Sequence, residues 1–147
     1  MSIRPRMPHR AFTLIELLVV IVVIAVLAAI VIPKFQDQGK RSKEASLKSN
    51  LSLIRNAVAL FQADTGYYPM SLDDLKASSA PAQGKDAAGT SQNINAADWH
   101  GPYIQGAIPN DPVSGAAFTY STTAPNVGKV SSSASGTASD GTAYSSW

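Results

Sequence analysis

Ala11-Phe12-Thr13-Leu14-Ile15-Glu16-Leu17 opens a run in which every residue from Leu17 to Ile32 is apolar. Counted from Phe12 to Ile32 the span is 21 residues. At about 1.5 Å of rise per residue this makes roughly 30 Å of helix, the thickness of a bilayer's hydrocarbon core. It is long enough to cross a membrane once. Arg4, Arg6 and Arg10 precede it, and Glu16 is the sole acid before Asp37. The positive-inside rule therefore places the N-terminus in the cytoplasm and everything after Ile32 on the other side. A secretory signal has a shorter apolar core closed by small residues in an A-x-A arrangement. Leu27-Ala28-Ala29 puts Leu where a small residue belongs, so the apolar segment is expected to be retained.

Glu16 admits two readings. A carboxylate within a membrane segment costs about 2.5 to 3.5 kcal/mol on insertion scales, which makes it a functional residue by default. Alternatively, four residues after Phe12, it sits near enough to the interface to stay hydrated. The residues alone weigh these evenly.

Phe12-Thr13-Leu14-Ile15-Glu16-Leu17-Leu18 resembles the processing and assembly motif of type IV prepilins and type II secretion pseudopilins. The resemblance implies cleavage by a prepilin peptidase between Ala11 and Phe12 and methylation of the new amine, giving N-methylphenylalanine at Phe12. It also tips Glu16 toward subunit assembly, through pairing with the N-terminal amine of a neighbouring subunit, which removes much of the burial penalty. The family usually has Gly before the cut; Ala11 is the next smallest side chain. The implied partners are further copies in a filament, the peptidase, an inner-membrane assembly platform and minor subunits. The implied location is a bacterial inner membrane, crossed once, with the head in the periplasm.

Composition fits a small extracytoplasmic subunit. The 147 residues include no cysteine, so neither a disulfide nor a thiolate nucleophile is available. The formal charge of +2 is misleading, because three of the 12 basic residues lie in the leader; after the implied cut, 9 basic residues face 10 acidic ones. The remaining charge divides along the chain: Lys34 to Asp64 carries a net +3 and Thr65 to Trp147 a net −3. A basic stem and an acidic head attract one another between stacked subunits only within the roughly 8 Å that physiological salt allows, and a solvated charge mixture is the preferred reading.

Leu47, Leu51, Ile54, Val58 and Phe61 recur at alternating spacings of four and three, one apolar stripe on a helix continuing from the membrane span. Pro33 and Gly39 predict a kink or local melting at the membrane exit. Asp64-Thr65-Gly66 predicts the helix end, with Gly as its C-cap. Ser71 to Lys76 reads as a short helix capped by Ser71. Ala77 to Asn95, rich in Ala, Ser, Gly and Gln, reads as a mobile loop. Trp99 to Ile104 brings aromatic anchors, and Pro109 to Pro112 a turn. Three β candidates follow, at 117–121, 128–132 and 141–146, as expected of an antiparallel meander. The Ser-rich tract from Ser131 to Ser139 suits disorder by composition, but Tyr144 and Trp147 beyond it favour strand and loop.

The expected organisation is a leader (1–11), a membrane half-helix (12–32), an amphipathic half-helix (33–64) and a head with a variable loop and β-meander (65–147). This is an α+β pilin fold, a long helix packed on a small antiparallel sheet. In the head, Gly101-Pro102-Tyr103-Ile104, Ile108-Pro109-Asn110-Asp111-Pro112 and Phe118-Thr119-Tyr120 resemble the major pseudopilin of type II secretion. That family binds calcium in an acid-rich C-terminal loop. Here the loop from Ser131 to Tyr144 offers only Asp140, with Asp111 as a possible helper, while calcium takes six to eight oxygens and usually several carboxylates. The preferred reading is a turn at Asp140-Gly141 and no metal.

No catalytic constellation is visible. His9 lies in the leader and His100 stands alone, so no His pair holds zinc and no nucleophile has a base. No phosphate-binding glycine pattern occurs, and the acidic head argues against nucleic acid. Three classes compete: a filament subunit of the secretion or pilus type, a membrane-anchored binding domain that never polymerises, and a secreted domain using the apolar run as a signal. The absence of cysteines and the Gly-Pro-Tyr and Pro-Asn-Asp-Pro turns favour the secretion branch of the first.

Overall fold

Apolar periodicity in the sequence changes at Ile32, and the computed structural model, which describes residues 12–147 and all of their side chains except those of 33–37, divides close to that point. The leader 1–11, with Arg4, Arg6, His9, Arg10 and the Ala11 side of the implied cut, lies outside the described residues. Two compact units are present, meeting at Gly39 and Lys40. A single helix, α1, is assigned from Leu14 to Thr65, and its helical state runs through Pro33 and Gly39.

In the first unit, Leu14–Ile32 has a mean hydropathy of 3.4 and none of it is buried. Nineteen residues of this character suffice to cross a membrane. In water such a surface is untenable, because each large side chain left exposed forgoes about 1.5 to 3 kcal/mol of burial.

In the second unit, residues 40–65 of α1 carry the predicted stripe. Leu47, Leu51, Ile54, Val58 and Phe61 are all nearly or fully buried, joined by Ala57. Opposite them lie Leu75, Ile104, Phe118, Val130, Ala134, Ala138 and Tyr144. Phe61 meets the Tyr103 ring edge-on at 5.5 Å, and Tyr103 meets Trp99 at 6.2 Å, so the aromatic anchors close one end of the core. α1 ends where expected. Gly66, at φ 78°, donates its N–H to the Gln62 carbonyl (2.9 Å), and the Thr65 hydroxyl donates to the Phe61 carbonyl (2.8 Å). A left-handed residue closes a helix this way, and Gly adopts it without a Cβ clash.

The rest differs from the expected meander. The short helix expected with Ser71 as its cap is present, as a five-residue 3-10 helix, Leu72–Lys76; the Ser71 N–H donates to the Asp74 carboxylate (2.9 Å). The stretch read as a mobile loop contains a hairpin, β2 (Gln83–Lys85) and β3 (Ser91–Asn93), with β1 (Tyr68–Pro69) on the far side of β2. It was invisible to apolar patterning because polar groups hold it. Gln83 bonds Asn93 across the strands (3.1 Å), and Lys85 bonds Ser91 (3.0 Å). The Asp86 carboxylate accepts the N–H groups of Ala88 and Thr90 to form the turn. Gly84 admits no side chain, since a Cβ there would lie 2.8 Å from the Tyr67 Cβ and 2.9 Å from the Tyr68 carbonyl oxygen.

Of the three later candidates, two pair. β4 (Thr119–Tyr120) and β5 (Val130–Ser131) are antiparallel, with Tyr120 opposite Val130. The third is no strand. Gly141 turns the chain at φ 84°, a lone bridge joins Thr137 to Ala143, and Tyr144–Ser146 is a 3-10 turn that drives Tyr144 inward. Both sheets are antiparallel and small, and most of the cover on the stripe comes from turns and loops.

Replacing Ile54, fully buried at the centre of the stripe, by Asp buries an unpaired charge. We expect a loss of several kcal/mol. Thermal unfolding of residues 40–147 checks this; an unchanged midpoint would mean that the stripe faces something other than the head.

Candidate functional site

Thr13 and Glu16 stand in the S/T-x-x-E spacing that closes a helix start on itself. In the structure both groups of Thr13 serve Glu16: its backbone N–H and its hydroxyl each donate to Oε2 at 2.9 Å, and the Glu16 N–H returns a bond to the Thr13 hydroxyl at 3.3 Å. A carboxylate at this position also meets the positive end of the helix dipole. Glu16 is therefore already partnered within its own chain by Thr13, the neighbour of Phe12, whose ring is exposed. The Thr-x-x-Glu spacing is present in the sequence, within the same stretch that marks Phe12 and Glu16. The Ala11 side of the implied cleavage site lies outside the described residues.

Two other acids organise the head: Glu44, which no motif marks, and Asp111, which the sequence offered only as a possible helper for calcium. Glu44, on α1, is 7% exposed; its Oε1 accepts the Tyr144 hydroxyl (2.8 Å) and the Ser139 N–H (2.9 Å) from the C-terminal segment. Lys40 stands 4.0 Å away and donates to the Thr137 carbonyl (3.1 Å). Burial alone would push the Glu44 carboxyl up, but these hydrogen bonds and the Lys40 charge outweigh it and hold it below the usual range. The same contact, with burial as the larger cause, pushes the Tyr144 hydroxyl up to about 12.

Asp111 is fully buried. Its Oδ1 accepts the N–H groups of Val113 (2.8 Å) and Ser114 (3.2 Å); its Oδ2 accepts the Ser132 hydroxyl and the Ser133 N–H (3.1 Å). Burial opposes its charge, and the four donors more than offset it, so this carboxyl also lies low. The turn at 111–116 and the chain at 132–133 are thereby tied to one group.

Asp140 is exposed and does what the turn reading expected. Its Oδ1 accepts the Thr142 N–H (3.0 Å) and hydroxyl (2.6 Å), and Lys48 lies 3.7 Å from Oδ2. Among the described residues no group of three His, Cys, Asp or Glu converges on one point. The acids do not fit a calcium ion well, since both oxygens of Asp111 are saturated by donors and Asp140 is engaged by its own turn. His100 is exposed and lies 3.6 Å from Asp64, which accepts the Tyr103 hydroxyl at 2.8 Å.

Comparison with known proteins agrees with this geometry. Residues 6–32 match the prokaryotic N-terminal methylation motif, and residues 34–144 match the family described as type II secretion system (T2SS), protein G. The second match spans most of the chain, which therefore belongs to that pilin-like family. The chain is 36% identical over 97 residues to the type IV major pilin protein PilA of Myxococcus xanthus, covering 61% of this chain and 43% of that protein. It is 31% identical over 72 residues to the type II secretion system core protein G of Pseudomonas aeruginosa, covering 49% and 51%. The corresponding protein of Escherichia coli is 29% identical over 68 residues, covering 46% and 47%. The aligned stretches span about half the length of these relatives. No solved structure matches.

Depressed carboxyl values carry a signed consequence. Asp111 and Glu44 contribute stability that is present above their unfolded values, about 3.9 and 4.3, and lost as pH falls through the lower folded values. The thermal midpoint of residues 40–147 should therefore hold from neutral pH to about 5 and fall steeply below about 4. Asp111→Ala, which strands the Ser132 hydroxyl and several N–H groups, should cost about 2 to 4 kcal/mol at neutral pH and flatten the acid limb in urea titrations.

Proposed function

We propose that this chain is a structural subunit of a helical filament, most closely a major pseudopilin of a type II secretion system acting in protein export. The observation that carries the reading is the coincidence of two features. A motif of processing and methylation type stands at the mouth of an unburied apolar helix, and the protein G match covers the head. The family is structural rather than enzymatic, and the chemistry of the head accords with that: its buried acids are consumed in holding loops.

In this reading the leader 1–11 is removed before Phe12, whose amine is methylated. Residues 12–32 hold the subunit in the inner membrane, with the head in the periplasm until assembly. Residues 33–64 form the amphipathic half-helix, and 65–147 the head. Pro33 and Gly39 mark the point at which the helix yields as the subunit leaves the membrane. Mass spectrometry tests the core of this. A methylated N-terminus at Phe12 supports it, an intact Met1 supports an anchored domain that never polymerises, and a start after the apolar run supports a secreted domain.

A type IV pilus subunit is the second reading, favoured by the 36% identity to the Myxococcus xanthus pilin. Deleting the gene separates the two. Loss of a secreted protein from the medium supports the secretion system, and loss of surface fibres supports the pilus.

We also infer a head that is stable without calcium, because the Asp111 and Asp140 oxygens already have donors. Chelator should move its melting temperature little. A site filled at 100 times its dissociation constant would add about 2.7 kcal/mol, so a large calcium-reversible loss would overturn the inference.

Glu16 acts in assembly. Its carboxylate is held by Thr13 in the single chain and is handed to the Phe12 amine of a neighbouring subunit, which sets axial register. Glu16→Ala should insert at least as well, be cut between Ala11 and Phe12, and assemble poorly. Sheared-filament yield with processing checked on the same sample decides: normal yield removes the pairing role, and failed processing reassigns Glu16 to peptidase recognition.

A further inference from the structure

Immediately after the apolar span the chain turns basic. From Lys34 to Lys48 it carries Lys34, Lys40, Arg41, Lys43 and Lys48 against Asp37 and Glu44, a net of +3. These cations are differently occupied. Lys40 reaches the Thr137 carbonyl and Glu44, and Lys48 reaches Asp140 and lies 4.1 Å from the Trp147 ring. Arg41 and Lys43 are exposed and, among the described residues, make no hydrogen bond or ion pair. Asp37, four residues before Arg41, falls outside the described side chains.

The position of this collar is unexpected. Over equal flanks of eleven residues the side after the span holds four Lys and Arg, and the side before it three. Positive charge on the translocated side runs against the bias that orients membrane helices. Its presence there calls for something that favours cations at that depth.

We propose that Arg41 and Lys43, with the basic residues around them, seat on the phosphates of anionic lipid headgroups in the leaflet from which the helix emerges. The proposal rests on the membrane-anchored reading above. Along the sequence Lys40 follows Ile32 by eight residues and Lys43 by eleven, a length of about 12 and 17 Å of helical chain. The polar zone of each leaflet extends about 5 to 8 Å beyond the hydrocarbon. The charges therefore stand within roughly one or two Debye lengths of the phosphates, and long side chains shorten the gap. Juxtamembrane basic clusters bind anionic surfaces by this attraction.

The competing occupant is the acidic head of a second copy. It is disfavoured because five of the head's six acids are engaged, Asp73 with Lys76, Asp74 with the Ser71 N–H, Asp86 with Gln92 and its own turn, and Asp111 and Asp140 as described, which leaves Asp98 exposed.

The test uses the full chain in nanodiscs of phosphatidylcholine, alone or mixed with phosphatidylglycerol, with sparse acetylation of lysines read by mass spectrometry. Phosphatidylglycerol should lower Lys43 labelling by roughly fivefold, an effect abolished by about 1 M salt. Lys85 and Lys129 should not respond, and Arg41→Gln should weaken the protection. Equal Lys43 labelling in both lipids, in a chain that resists carbonate extraction, overturns the lipid seat and leaves the anchor standing. Extraction by carbonate overturns the anchor and the seat together. Protection that ignores lipid and grows with the number of chains per disc overturns the seat and assigns the collar to the head of another copy.

Discussion

The stripe Leu47, Leu51, Ile54, Val58 and Phe61 must be kept from water by a segment, 66–147, whose longest strands are three residues. A regular sheet would satisfy its backbone in the act of covering the helix. Here the cover is made of turns, and every buried N–H and carbonyl needs a separate partner. That demand explains why charged and hydroxyl side chains sit at the centre of the head. Asp111 collects four donors, Glu44 two, and Arg55 spans the Val130 carbonyl with two N–H groups at 3.1 and 2.7 Å. Bonds to charged groups contribute more than neutral ones, and their loss leaves buried polar atoms stranded. The head is thus a thin apolar layer whose edges are fastened by carboxylates and one guanidinium.

Helical features were legible in the sequence because periodicity is a property of many residues at once. The stripe, the end at Thr65 and the apolar span all follow from repeated spacing or from the requirement for Gly66. The 83–93 hairpin was missed because its strands present almost nothing apolar, so no alternation exists to be read. Its evidence is pairwise: Gln83 with Asn93, Lys85 with Ser91, and Asp86 with its own turn. The strand expected at 141–146 failed for a different reason. Tyr144 does dock, as its place beyond the Ser-rich tract suggests, but its hydroxyl reaches 100 positions back to Glu44 from a 3-10 turn rather than from a strand.

The candidate site divides the same way. Phe12 and Glu16 announce themselves by a carboxylate in an apolar run, inside the stretch that matches the N-terminal methylation motif. Glu44 carried no such mark, and Asp111 carried only that of a possible calcium ligand. Glu44 lies in a charged stretch of α1 that reads as solvated, and Asp111 sits in a Pro-rich turn where an acid is ordinary. Burial and partners, which only the fold supplies, separate them from the other acids of the chain.

One helix carries two chemically different stretches in succession, the apolar span and the one-sided stripe, and each is set by what surrounds it. From Leu14 to Ile32 no side chain finds cover within the chain, so the surroundings must supply it, as lipid or as other helices. Without water to stabilise charge there, Glu16 persists because Thr13 supplies two hydrogen bonds at once. Those bonds also limit what a neighbour's amine can gain, since it must displace them before it pairs. The exchange is close to balanced when the displaced Thr13 donors find water, and it tilts toward pairing when the new contact is dry and the amine would otherwise be buried alone. In the proposed role, assembly at this position is governed by how completely neighbouring helices exclude water. A carboxylate held by a weak local cap suits such a step better than one left bare in lipid, because the cap keeps the unassembled chain insertable and still yields to a full positive charge.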